Sequence, residues 1–138
     1  MSQLAGAAVK CVSSSVPQAL SNNLLSLSSL GWDECAVYDK LLWGLVRSRE
    51  QPKPQELSNA ILSCAMASHS GAAVDALAGE VSKQELTAWD VQAMSNALYA
   101  WSVLSLLSRA SPELNGMASA LFIEANTRGP SVFKEQEI

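Results

Sequence analysis

Three stretches of the chain open in the same way: "VPQALSNNLLSLSS" from Val16 to Ser29, "KPQELSNAILSCAMAS" from Lys53 to Ser68, and "DVQAMSNALYAWSVLS" from Asp90 to Ser105. Their Ser-Asn pairs, Ser21-Asn22, Ser58-Asn59 and Ser95-Asn96, recur at a fixed interval of 37 residues. A period of that size is the mark of a solenoid, in which each supersecondary unit is too small to bury its own apolar face and so stacks on the next. This one feature excludes most single-core folds and predicts an all-α chain, an α-solenoid of about three helix-turn-helix repeats.

Each opening reads as a helix start. Pro17 and Pro54 suit a first helical turn, where a missing N–H costs nothing, and the third copy has Val91 behind Asp90 as an N-cap. Apolar residues then follow at helical spacing: Leu20, Leu24, Leu27; Leu57, Ile61, Cys64; Met94, Leu98, Trp101. These columns predict one buried stripe per helix. Beside them runs a column of small side chains, Asn23, Ala60 and Ala97 with Ser26, Ser63 and Ala100, which lets helices approach closely. A second helix is expected in each unit, over 33–48, 72–86 and 112–126, with inward stripes Val37, Leu41, Leu45; Val74, Leu77, Val81; and Leu114, Met117, Leu121. Gly31 and Gly71 are expected to end the first helices, and the third unit carries about three extra residues, expected near Leu106 to Ser111.

The resulting organisation is repeat 1 over 16–53, repeat 2 over 54–89 and repeat 3 over 90–129. Residues 1–15 are expected to form an N-terminal capping helix with Leu4, Ala8, Val9 and Val12 inward. "PSVF" at Pro130 repeats the Pro-to-apolar spacing, so 130–138 reads as the start of an incomplete fourth repeat.

Composition narrows function by exclusion. The net charge is -4 with 16% charged residues, the wrong sign for a surface devoted to phosphate neutralisation. Three cysteines without a CxxC and a single histidine, His69, cannot furnish a four-ligand zinc site. No apolar run approaches the roughly 20 residues of a membrane span. There is no glycine-rich phosphate loop, no paired carboxylates on one face and no nucleophile–base spacing. A non-catalytic protein without metal or cofactor is expected.

Paired-helix repeats of this length opening P-Q-x-L-S-N-x-L resemble the octotricopeptide repeats of algal organelle proteins, and the related repeats that precede RAP domains. "PQELSNAILSCAMAS" and "VQAMSNALYAWSVLS" carry the resemblance, which covers about 17–128. It implies a mitochondrial or chloroplast protein that associates with single-stranded RNA or rRNA in maturation, stability or translation. Some such proteins are built into organellar ribosomes, so the alternative is a scaffold subunit docked on protein in a large organellar complex.

Candidate contacts for either partner are the polar positions of the first helices, Gln55, Ser58, Asn59, Gln92, Ser95 and Asn96, and the basic cluster Arg47, Arg49 and Lys53. Trp43 is a candidate stacking platform, Trp101 is expected in the core, and Trp32 and Trp89 at helix junctions are expected half-buried. Because the asparagines recur identically, they are also expected to bond from one unit to the next. A basic stripe across all three repeats would favour RNA; an exposed apolar patch at the Pro130 to Ile138 end would favour protein.

Overall fold

The computed structural model describes residues 16–129, so the expectations for 1–15 and 130–138 lie outside the described residues. Six α-helices follow one another: α1 (Pro17–Ser29), α2 (Cys35–Val46), α3 (Pro54–Met66), α4 (Ala72–Lys83), α5 (Val91–Leu106) and α6 (Pro112–Arg128), with a 3₁₀ turn at Leu86–Ala88 before α5. The described residues contain no strand. First helices pack on first helices (α1 on α3, α3 on α5) and second helices on second helices (α2 on α4, α4 on α6), while each unit closes as a hairpin. The result is a two-layered, solenoid-like stack.

The helix starts form as their residues dictate. Pro17, Pro54 and Pro112 occupy the first turns of α1, α3 and α6. Asp90 accepts the Ala93 N–H at 2.7 Å, and Ser111 accepts that of Leu114 at 3.1 Å. In α3 the Glu56 carboxylate reaches back to the Lys53 N–H at 2.8 Å. Each such cap satisfies a backbone donor that the helix itself leaves bare.

All three first helices end in one corner. Gly31, Ser68 and Ser108 adopt the left-handed conformation, with φ of 77°, 53° and 59°. The following N–H closes back five residues: Trp32 to Leu27 at 2.9 Å, His69 to Cys64 at 2.8 Å and Arg109 to Leu104 at 2.8 Å. This is the Schellman arrangement. It corrects the role of Gly71, which with φ 129° is the N-cap of α4 and not the end of α3. The extra residues of the third unit lie inside α5, which runs 16 residues where α1 and α3 run 13. Three added residues are about five-sixths of a helical turn, so the helix is lengthened without an irregular insertion.

The predicted stripes of the second helices are buried throughout, as are those of α1 and α3. Ala60, Ser63, Ala97 and Ala100 are also fully buried, so the small column of α3 and α5 does allow close helix approach. The third stripe differs. Met94 is buried, but Leu98 and Trp101 are only half-buried, which corrects the expectation of Trp101 in the core.

Polar ties join the units at their corners. His69 Nε2 lies 2.7 Å from Asp39 Oδ1, and its ring stands 5.4 Å from Tyr38, whose hydroxyl donates to the Trp32 carbonyl at 2.6 Å. Arg109 donates to the Ser68 carbonyl. Arg128 donates to the Leu86 and Thr87 carbonyls at 2.9 and 3.4 Å while its Nε holds Glu124 at 3.0 Å.

Beneath the Asp39–His69 pair lies Cys64. Burial, then the Asp39 carboxylate, pushes its thiol up to about 12. The native protein therefore keeps this proton between pH 9, where an ordinary thiol ionises, and about 12. In that window the unfolded chain has lost it, so stability falls as pH rises; burial raises Tyr38 in the same sense. In a maleimide-labelling experiment at neutral pH, peptide mass spectrometry should find exposed Cys35 modified and buried Cys64 untouched until the chain unfolds. Rapid native labelling of Cys64 would contradict this burial.

Candidate functional site

The outward face of the first-helix layer holds most of the polar candidates. Gln18, Gln55 and Gln92 are exposed at equivalent positions, and one turn on stand Asn22, exposed, and Asn59 and Asn96, half-buried. Gln18, Ser21 and Asn22 from α1 meet Lys53, Gln55, Glu56 and Asn59 around one shallow recess of about 170 Å³. Since both helices contribute their first turns, α1 and α3 run parallel and the amides lie side by side.

Two candidates are corrected here. Ser58 is fully buried and its hydroxyl donates to the Gln55 carbonyl at 3.1 Å. The Ser95 hydroxyl is likewise enclosed, without a partner. Both sit on the side of the helix that turns toward the following unit, off the outward face that carries the amides. The asparagines do not join the units either. Asn96 Oδ1 accepts from Gln92 Nε2 at 2.9 Å within α5, and among the described residues the Asn22 and Asn59 side chains make no hydrogen bond. Their recurrence is therefore not explained by hydrogen bonds between units.

Of the basic candidates, only Lys53 lines the recess of this row. Arg47 covers the Trp43 ring at 4.7 Å, a cation–π contact that closes that face of the indole. Arg49 and Lys53 are exposed beyond it. Arg109 and Arg128 are engaged with backbone carbonyls, and Lys83 lies 3.4 Å from Glu80. With α1, α3 and α5 free of Lys and Arg, no basic stripe crosses the three described units. Trp32 and Trp89 offer no platform for bases: the first is half-buried, and the second is only 2% exposed, more enclosed than expected.

A second surface escaped the sequence reading. Four positions buried on α3 in unit 2 are half-open at their matches on α5 in unit 3: Ser58 and Ser95, Ile61 and Leu98, Cys64 and Trp101, Ala65 and Ser102. On this end face Phe122 is 47% exposed, and Leu106, one turn beyond Ser102, is 86% exposed. Trp101 donates to Asn115 Oδ1 at 2.9 Å and meets the Phe122 ring edge-on at 5.8 Å, so α5 and α6 are held as one flat wall. Only a burial comparison between units could have found it, because in sequence these residues look like any other core stripe.

Among the described residues no group of three His, Cys, Asp or Glu is placed to hold a metal ion, and no helix is long and apolar enough to cross a membrane. Fold and surfaces together define an all-α helical-repeat protein. Against protein-family models, curated proteins and solved structures, the chain finds no match.

Proposed function

We propose that this chain is a non-catalytic scaffold module that docks a protein partner on its C-terminal end face. The observation that supports this is the internal comparison of units. The seat that α5 and α6 occupy on unit 2 is repeated on unit 3, where Leu98, Trp101 and Ser102 stand half-open beside Leu106 and Phe122. What covers this seat inside the chain is a helix pair, so a helical partner fits it. Apolar groups grouped in this way mark interaction sites rather than ordinary surface. The mild negative charge also suits a protein partner better than a nucleic acid.

A second reading, RNA association in an organelle, keeps the support of the octotricopeptide-like openings and of one local feature. Lys53 lines the recess, Arg47 and Arg49 precede it in the chain and are exposed, and such cations suit backbone phosphates.

The two are separated by purifying the tagged chain from its own cells, natively and after ultraviolet crosslinking. Leu106→Glu/Phe122→Glu is expected to lose co-purifying protein subunits at unchanged helicity. Partners retained by that variant would sink the end-face reading. RNA crosslinks abolished by Arg47→Ala/Arg49→Ala would replace it with the second.

A further inference from the structure

We propose that the carboxamide row across α1, α3 and α5 binds an extended polypeptide in the polyproline II conformation, with Asn22, Asn59 and Asn96 paired to its backbone amides. This site is separate from the end face and goes beyond the docking reading.

A primary carboxamide presents donors and an acceptor side by side, the complement of a peptide N–H and C=O. Asn22 and Asn59 have that capacity uncommitted, and they border the same recess with Gln18 and Gln55. Asn96 keeps its NH₂ group and Gln92 its carbonyl, because the bond between them uses only the other half of each. An outward side chain with free hydrogen-bonding capacity, repeated identically in every unit, suits something identical in every unit of a ligand. In macromolecules that is the backbone. The row has no cation on any of its three helices, and the recess pairs one cation, Lys53, with one carboxylate, Glu56; a polyanionic phosphodiester backbone finds no net positive charge there, whereas a neutral peptide backbone needs none.

The spacing selects the conformation. Parallel packed helices stand about 8–10 Å apart. Three residues of polyproline II advance about 9.3 Å and complete one turn, so the same backbone side returns at each helix. A β-strand covers that distance in about three residues as well, but its amides alternate and would turn away at every second helix. Beyond the amides lie half-buried Leu25 and Leu62 and the 60% exposed Tyr99, an apolar and aromatic floor suited to proline rings.

Phage-displayed random dodecapeptides panned on the full chain test this, with a random single-stranded RNA pool run in parallel. The expected enrichment is in prolines at three-residue spacing. Asn59→Ala should weaken an enriched peptide by about tenfold through two lost hydrogen bonds, and Lys83→Ala should not. Should Asn59→Ala lose helicity, exposed Asn22→Ala carries the test. No enrichment, or peptides that bind both asparagine variants as well as the parent, overturns the site without touching the end-face reading. RNA retained by the parent and released by Asn59→Ala would overturn it in favour of nucleic acid.

Discussion

Replacing Trp89 with alanine should lower the free energy of unfolding by about 3–5 kcal/mol, as measured by urea denaturation followed by circular dichroism. The indole is only 2% exposed and is among the largest fully enclosed side chains of the fold. It sits just after the 3₁₀ turn and just before the Asp90 cap, so it fills the joint between the second and third units. Its Nε1–H is buried without a hydrogen-bond partner. Trp89→Phe therefore keeps most of the apolar contact and removes an unsatisfied donor, and should cost less than about 1.5 kcal/mol. Equal losses for the two variants would mean that the indole nitrogen is doing something its surroundings do not show.

Ile61→Ala should cost about 2–5 kcal/mol. Ile61 is fully buried on α3, the helix that touches α1, α4 and α5. In a stack where each unit contacts only its neighbours, a cavity in the middle weakens both interfaces and divides the array. Against a total stability of about 5–15 kcal/mol for a domain, that is a large share. The matched position Leu98 is half-buried at the end face. Leu98→Ala should shift the urea midpoint by less than Ile61→Ala does. A larger shift for Leu98→Ala would show that the end face is covered in solution.

The architecture was legible because its signal is written three times. Period, proline starts and apolar columns each point to the same helices, and the helices form where those features agree. What stayed hidden depends on position within the array and not on residue type. Trp101 carries the same apolar credentials as Cys64, yet it belongs to the last described unit and so remains half-open. Ser68 and Ser108 hold a left-handed turn where glycine is the usual signal, so Gly71, a few residues on, took the credit. The Asp39–His69 pair joins residues 30 apart in chain, and no spacing rule links them. Of the candidate contacts, Gln55, Asn59, Gln92 and Asn96 do reach an outward face. Ser58 and Ser95 do not, because a helix turns neighbouring residues about 100° apart and puts each serine on the packed side.

The corner residues give the stack a direction. His69 of the second unit reaches back to Asp39 of the first, Arg109 of the third to the corner of the second, and Arg128 to the turn that precedes its own unit. Each fastening is supplied by the later segment and received by one already made. A ribosome delivers the chain in that same order. Every hairpin can thus lock onto a finished neighbour as it emerges, and assembly proceeds like a zipper drawn from the N-terminal side.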